Sequence, residues 1–186
     1  MIEEVVEVRD EAQLGNGPRV PATVMAMDFL PQNPLYDDAV RASFARQTLM
    51  ATMGVTVSRI APGEVDLEMR HSPAFCQQNG YLHAGATASL ADSANGYSAH
   101  TLTPAGTDVL AVEFKINLLA PARGTGYIAR GRVVRPGRTL TVCLAEVFAL
   151  DEGSETMIAT MLSTIIIRPA AAGSSAARPR TAYPEI

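Results

Sequence analysis

The sequence predicts an α+β domain in which an antiparallel sheet wraps one long helix. Residues 83–102 contain no proline and are rich in alanine, a composition that favours a helix. Four strand-like runs follow this segment, and short breaks containing Gly, Pro, Asp or Ser separate them. Because the helix is too apolar to stand in water, we expect the strands to cover it.

The elements before this helix are shorter. Asp37 and Asp38 open a predicted helix that runs through Met50, and their charges suit the positive end of the helix dipole. Residues 55–60 are predicted to form a strand. Residues 65–69 alternate apolar and acidic side chains, which is typical of a half-buried strand, and an Ala-Pro-Gly-Glu turn separates the two strands.

The four strands after the long helix are expected to form an antiparallel meander, because each break between them is a short turn. In a meander each strand pairs with the one before it, so the expected order in the sheet follows the chain. The four predicted strands are residues 109–119, 126–135, 139–150 and 156–167.

The long helix is built from small residues and carries one carboxylate. Its Ala, Ser, Thr and Gly side chains let other backbone come close. Gly85 and Gly96 would each cost about 1 kcal/mol relative to alanine inside a helix, so we attribute both to close packing. Asp92 lies among apolar neighbours, where it is either a structural group bonded to backbone or serine, or a poised catalytic group.

The composition divides the chain into three parts. Residues 1–36 are acidic at first and then interrupted by Gly and Pro, which predicts an extended arm with a short strand near residues 20–27. Residues 37–169 carry the predicted helices and strands and form the folded domain. Residues 170–186 are expected to form a flexible tail, because their Ala, Ser, Gly, Pro and Arg side chains bury little apolar surface.

Composition also excludes several classes of function. The 186 residues include 15 basic and 19 acidic ones, and the net charge of −4 gives no attraction to nucleic acid. Tryptophan is absent and aromatic residues make up 5%, so platforms for base stacking are not expected. No apolar run is long enough to span a membrane. The acidic N-terminus has no signal-peptide pattern, so we expect a cytoplasmic protein.

The cysteines and histidines indicate neither a disulfide framework nor a metal site. Cys76 and Cys143 are too few for a framework, and Cys76 is expected to be a buried, inert thiol rather than a reactive one because no histidine neighbours it in sequence. His71, His83 and His100 lack the spacing of metal ligands, and no Cys-x-x-Cys is present. We therefore expect no metal and no cofactor.

Four short stretches together resemble one known family. His83-Ala84-Gly85, followed by Leu90-Ala91-Asp92, is similar to the His-Gly-Gly and Leu-x-Asp motifs of the hotdog thioesterases of the phenylacetic-acid-degradation (PaaI-like) type. Residues 112–122 resemble the third-strand signature of that family, and residues 137–140 resemble its next turn. The resemblance covers about residues 50–168, and the order and spacing of the four stretches make it specific.

This resemblance implies the hotdog fold, in which a long helix is wrapped by an antiparallel sheet, and hydrolysis of acyl-coenzyme A thioesters. Coenzyme A is then part of the substrate and not a cofactor. The family works as homodimers, often as dimers of dimers, with active sites at the dimer interface. Two departures stand out: Ala84 replaces the first glycine of His-Gly-Gly, and Ala111 stands where the family often has Ser or Thr.

Thioester hydrolysis needs a water nucleophile with a base, or a carboxylate nucleophile, and a group that stabilises charge on the carbonyl oxygen. Asp92 is expected to meet the first need, either by activating water or by direct attack to give a mixed anhydride. The backbone N–H groups at the start of the helix, that of Gly85 above all, are expected to form an oxyanion hole. His83 is expected to orient the loop or the water.

An amide side chain of the preceding loop is expected to hold the nucleophilic water or the thioester oxygen. Gln77, Gln78 and Asn79 are all candidates, and the sequence leaves the choice among them open. The apolar residues that could line an acyl pocket, each of which could equally be core, are Met25, Met27, Met50, Met53, Leu82 and Tyr97.

Basic residues at the sheet turns could bind the phosphates of coenzyme A, because guanidinium matches phosphate in a bidentate way. The turn formed by Gly137, Arg138 and Thr139 is the best candidate, since glycine lets a phosphate approach the backbone. Arg123 and Arg135 are further candidates, although any one of these arginines could equally be a solvated turn residue.

Other functions remain open. A hydratase or dehydratase on the same fold usually pairs a carboxylate with a histidine on the same helix region. Here Asp92 lies nine residues after His83 and the helix has no second acid, which favours the thioesterase. A non-catalytic acyl-coenzyme A binding protein and an interaction protein are the remaining alternatives, and the carboxylate at position 92 argues against the former.

Overall fold

A computed structural model describes residues 28–170. Most of the predicted arm, including the strand near residues 20–27 and the pocket candidates Met25 and Met27, lies outside this range, as does the tail after residue 170. The elements are α1 (Tyr36–Phe44), α2 (Thr48–Met53), β1 (Thr56–Ala61), β2 (Glu64–Arg70), a 3-10 turn (Pro73–Phe75), α3 (Ala84–His100), β3 (Thr107–Leu118), β4 (Gly126–Arg135), β5 (Leu140–Asp151) and β6 (Ser154–Pro169).

The α+β class and the hotdog architecture are confirmed: α3 packs against one antiparallel six-stranded sheet. The predicted meander is wrong in part, because the strand order is β1-β2-β4-β5-β6-β3 and β3 pairs with β6 at an edge. Residues 119–125 do not form a hairpin turn. Ala122 is buried and its carbonyl accepts the Leu82 N–H at 3.0 Å, which anchors this segment beneath the loop before α3.

The single helix predicted over residues 37–50 is also wrong, because the chain forms two helices with a break at residues 45–47. At 100° per residue, Val40 and Met53 on one straight helix would point about 140° apart. The break lets α1 bury Val40 while α2 buries Met50 and Met53 in the same core. Burial of three apolar side chains therefore outweighs the continuity of one helix.

Close contact between α3 and the sheet depends on a glycine in β4. A Cβ atom added to Gly131 would lie 2.4 Å from the backbone carbon and oxygen of Ala94, a distance that no side chain tolerates. The buried Asn95 also anchors the helix, since its Nδ2 donates to the Met161 carbonyl at 3.3 Å and to Ser163 Oγ at 2.8 Å. The small residues of α3 thus have the role that their composition predicted.

The predicted reason for the two helix glycines holds for only one of them. A Cβ at Gly85 would lie 3.1 Å from Nδ1 of His83, so that position is crowded. A Cβ at Gly96 would meet no atom within 4 Å among the described residues, so close packing within the chain does not explain it. Gly96 instead faces a cavity beside Asp92.

The helix α3 runs beside β4 in the same direction. Its start lies near Ala122, where β4 is about to begin, and its end packs Ala99 and Leu102 against Val133 and Cys143 near the far end of β4. One end of the domain therefore carries the loop that leads into α3, and the other end carries the turn between β4 and β5.

Candidate active site

The start of α3 is organised by His83. This residue is the N-cap, and its Nδ1 accepts the Gly85 N–H at 2.9 Å. Because Nδ1 accepts, the neutral ring carries its proton on Nε2, and that N–H points away from the helix end. The missing side chain at position 85 leaves room for the ring. His83 thus caps the helix, and its role in orienting the loop or the water stays a prediction.

One backbone N–H of the first helical turn has no hydrogen-bond acceptor among residues 28–170. Ala86 N–H and Thr87 N–H both donate to the His83 carbonyl, at 2.9 and 3.1 Å, and Gly85 N–H is taken by the His83 ring. Within residues 28–170 no acceptor is found for the Ala84 N–H. The backbone N–H that could donate to a ligand at this helix end is therefore that of Ala84, one residue before the glycine that the motif indicated.

A mainly apolar cavity of about 280 Å³ opens beside this helix start. Of the three candidate amides, only Gln77 lines it, while Gln78 and Asn79 are exposed on the turn. The turn is held by hydrogen bonds from Gln77 N–H to the Tyr81 carbonyl at 2.8 Å and from Asn79 N–H to Oε1 of Gln77. The cavity lining is Gln77, Tyr81, Leu82, Ala84, Thr87, Leu118, Ala120, Pro121, Ala122 and Ile158.

Asp92 lies in a second cavity, further along α3. Its carboxylate is half-buried, and Oδ1 is buried with no hydrogen-bond partner among residues 28–170. Burial raises the pKa of this carboxyl above its ordinary value. The cavity has a volume of about 400 Å³ and is lined by Ser43, Arg46, Gln47, Asp92, Ser93, Gly96, Tyr97, His100, Asp108, Val109 and Leu110.

His100 shares this second cavity with Asp92, and it was not predicted as a site residue. Asp92, Gly96 and His100 are spaced by four, which puts them on one stripe of the helix, and this spacing was the signal in the sequence. Burial lowers the pKa of the His100 imidazole, which favours its neutral form. Its Nδ1 is buried and has no partner within the described part of the chain.

The two cavities do not meet at one reacting carbonyl within a single chain. Ala84 and Asp92 are eight residues apart on one helix, so their separation along its axis is about 12 Å. A thioester carbonyl that accepts the Ala84 N–H is therefore out of reach of the Asp92 carboxylate of the same chain.

The residues predicted to bind coenzyme A lie at opposite ends of the domain. Arg123 lies beside the loop at the helix start, where Nη2 donates to the Tyr81 hydroxyl at 3.0 Å and the guanidinium lies over the ring at 5.2 Å. Gly137, Arg138 and Thr139 are exposed in the turn between β4 and β5, at the far end of the sheet from the start of α3. The structure thus brings Arg123, but not this turn, near Gln77 and Ala84.

Two general findings bear on the kind of site. Within residues 28–170, no three His, Cys, Asp or Glu side chains are grouped as metal ligands would be. In the same part of the chain, each helix is too short or too polar to cross a membrane.

Known proteins resemble this chain in sequence and in fold. The family model of the thioesterase superfamily matches residues 79–156. A solved thioesterase family protein from Silicibacter pomeroyi is 46% identical, with a TM-score of 0.72 over 73% of this chain and 99% of that chain. The region that the family model matches contains the whole of α3, with Ala84, Asp92 and His100.

More distant similarities agree with this match. The PaaI protein of E. coli, from the phenylacetic acid degradation operon, has a TM-score of 0.66 over 75% of this chain and 97% of that chain, and its 16% identity shows a shared fold alone. A Saccharolobus solfataricus protein provisionally named an esterase is 31% identical over 48% of this chain. That match spans 64% of the relative's own length, which is less than two thirds.

Proposed function

Because the chain belongs to the thioesterase superfamily, we propose that it is a hotdog-fold thioesterase of the PaaI-like type and that it hydrolyses acyl-coenzyme A thioesters with Asp92 as general base or nucleophile. One observation carries this proposal. Asp92 presents a buried carboxylate oxygen without a hydrogen-bond partner among the described residues, on the wall of a cavity large enough for a ligand group. A carboxylate with a purely structural role would be hydrogen-bonded.

The reaction has two possible first steps. As a base, the Asp92 carboxylate takes a proton from a water molecule, whose oxygen adds to the thioester carbonyl carbon. As a nucleophile, the carboxylate adds to that carbon itself and gives a mixed anhydride, which water then hydrolyses. In both cases the carbon–sulfur bond breaks and coenzyme A leaves as a thiolate, which is protonated in solution.

Charge on the carbonyl oxygen is stabilised at the start of α3. The free Ala84 N–H and the positive end of the 17-residue helix both favour a developing oxyanion there. Gln77 lines the same cavity and its side-chain oxygen is already engaged by Asn79, so its NH2 group is the part free to bind substrate or water.

The working enzyme is a homodimer or a dimer of dimers in this proposal, with each site built from two subunits. Ala84 of one subunit and Asp92 of the other would contact the same carbonyl, since the two are about 12 Å apart along one helix. The edge strand β3 supports such pairing. It is 12 residues long, its outer edge is unpaired among residues 28–170, and Leu110, Val112 and Phe114 are 50%, 52% and 47% exposed.

The same two-subunit arrangement explains why the residues predicted to bind coenzyme A lie at opposite ends of one domain. Arg123 lies close enough to the helix start to serve the carbonyl site of its own subunit. The turn of Gly137, Arg138 and Thr139 is at the other end of the domain, so it can contribute only to a site that another subunit presents to it. We therefore assign Arg123 and this turn to the phosphates of coenzyme A from different subunits.

A hydratase is the second candidate, because a carboxylate and an imidazole, those of Asp92 and His100, line one cavity from positions about 12 Å apart along α3. A substrate that bridges the two would meet groups whose pKa values are shifted in opposite directions, as those of an acid and a base are. A hydratase would add water across the carbon–carbon double bond of an enoyl-coenzyme A and would release no thiol.

The test is free-thiol release from short, medium, long and phenylacetyl coenzyme A thioesters, with enoyl-coenzyme A hydration measured in parallel. Asp92→Asn should lower kcat/KM by about a hundredfold or more. The matched control is Asp108→Asn, which makes the same chemical change in the same cavity and should retain most activity. Hydration without thiol release would favour the hydratase. An equal loss of kcat/KM in both variants would show that Asp92 is not the general base or nucleophile.

A further inference from the structure

Cys76 has a histidine beside it that sequence adjacency did not show. Its Sγ lies 3.8 Å from Nε2 of His71, five residues earlier in the chain. The intervening 3-10 turn, Pro73–Phe75, folds the chain back and brings the two side chains together. The expectation of an inert thiol depended on the lack of a neighbouring histidine, and the fold removes that argument.

The hydrogen bonds of Tyr127 determine which nitrogen of His71 can act as a base. The Tyr127 hydroxyl donates to the Ala122 carbonyl at 3.2 Å, so it accepts from Nδ1 of His71, 3.0 Å away. With its proton on Nδ1, the neutral imidazole has its lone pair on Nε2, which faces the Cys76 sulfur. A nucleophile, a base and a third group that orients the base are therefore in place.

The surroundings of Cys76 differ from those of the other cysteine. Cys76 is half-buried and Cys143 is fully buried. The Cys76 Sγ also lies 3.4 Å from the Ser72 carbonyl oxygen. That oxygen can accept a hydrogen bond from the thiol but cannot deprotonate it, whereas Nε2 of His71 can. A cavity of about 690 Å³ is lined in part by His71, Ser72, Phe75 and Tyr127, so the residues around Cys76, although not Cys76 itself, face open space.

We propose that Cys76 is a reactive thiol and a site of S-thiolation by low-molecular-weight disulfides, with His71 as its base and Tyr127 as the positioning residue. His71 Nε2 takes the thiol proton, and the Cys76 thiolate attacks one sulfur of the disulfide. The Cys76–S–S–R bond forms as the S–S bond of the disulfide breaks, and the second half leaves as a thiolate. That thiolate recovers the proton from His71, so the protein is oxidised and one small thiol is released.

The first test is the rate of alkylation of each cysteine by iodoacetamide in the native full-length protein, followed by peptide mass spectrometry. Cys76 should react at least about tenfold faster than the buried Cys143, which serves as the internal control. His71→Ala should lower the Cys76 rate about tenfold or more. Tyr127→Phe removes the acceptor of Nδ1–H and should lower the same rate by a smaller factor, with thermal denaturation as the check on folding.

The second test uses glutathione disulfide as the probe. The mixed disulfide should form at Cys76 in wild type, reverse with dithiothreitol and be absent from Cys76→Ser. A Cys76 that reacts no faster than Cys143 would overturn the proposal. A fast reaction that His71→Ala leaves unchanged in a folded variant would overturn it as well, because the reactivity would then not come from the dyad.

Discussion

At the scale of single residues, the start of α3 shows that the backbone N–H a motif predicts as a donor can already be used by a neighbouring side chain. The glycine of His-Ala-Gly was the expected oxyanion donor, but its N–H already donates to the His83 ring. The ring of His83 thus accepts the Gly85 N–H, whereas the Ala84 N–H has no acceptor within residues 28–170. Gly85 is explained by the room that the ring needs.

Ala84→Pro tests the proposed donor without disturbing the helix. Proline lacks an N–H and fits the first helical position, and His83, with φ −64° and ψ 140°, has the backbone conformation that a following proline requires. We expect an unchanged melting temperature and a loss in kcat of about a hundredfold, measured by thiol release. Ala84→Ser keeps the N–H and should retain activity. Full activity in the proline variant would exclude this N–H as a donor.

Asp92 should weaken the fold when it is charged. Burial raises its pKa, so folding favours the neutral form relative to the unfolded chain, and the contribution of Asp92 to stability is lost as pH rises through that raised pKa. Asp92→Asn should therefore melt at a higher temperature than wild type at neutral pH, and the difference should vanish as pH falls below about 4, the ordinary carboxyl value. Thermal denaturation across pH measures this. A wild type that is the more stable at neutral pH would contradict it.

At the scale of elements, the decisive contact is between α3 and the sheet. The helix lies so close to β4 that the backbone of Ala94 occupies the space where a Gly131 side chain would be. The composition of α3 predicted such an approach, but nothing in the sequence named its partner in β4. The single helix expected over residues 37–50 failed for a related reason, because tertiary burial selected two shorter helices.

Two alanine substitutions distinguish packing from helix propensity. Gly131→Ala should lower the free energy of unfolding by about 1–3 kcal/mol, since the added methyl meets backbone that cannot yield locally. Gly96→Ala meets no atom within 4 Å in the described chain and should raise that free energy by up to about 1 kcal/mol. Urea denaturation measures both. Equal effects of the two substitutions would refute this account of the contact.

At the scale of the whole molecule, the chain presents two separate cavities along α3. One is lined by Ala84 and the Gln77 amide, and the other by the Asp92 carboxylate and the His100 imidazole. They lie on one helix but too far apart to share a carbonyl, which is the geometric reason for proposing that two subunits build each site.

Mixed dimers test this arrangement directly. Asp92→Asn and Ala84→Pro chains, each nearly inactive alone, would form one intact site in every mixed dimer. When the two chains are co-expressed in equal amounts, about half of the dimers are mixed and half of their sites work, so activity should return to about a quarter of wild type. The control is a mixture of the two separately purified, folded proteins, kept under conditions in which their subunits do not exchange. No recovery in verified mixed dimers would place the site within one chain.

The sequence alone predicted the α+β class, the positions of most strands and the start of α3 at His83. These features depend on local information: composition, alternation of apolar residues, turn residues and a short motif with fixed spacing. Each can be recognised from neighbours along the chain, because helices and strands form largely from local preferences and periodic burial.

Only the tertiary structure decided which atoms meet. It placed β3 at the far edge of the sheet, put Gln77 but neither of the other two amides beside the cavity at the start of α3, put His100 and Asp92 in one cavity, and brought His71 within 3.8 Å of Cys76. The strand order and the crowding at Gly131 come from contacts between residues far apart in the chain. Such contacts depend on how apolar surfaces pack in three dimensions, and the spacing of residues along the sequence does not specify that packing.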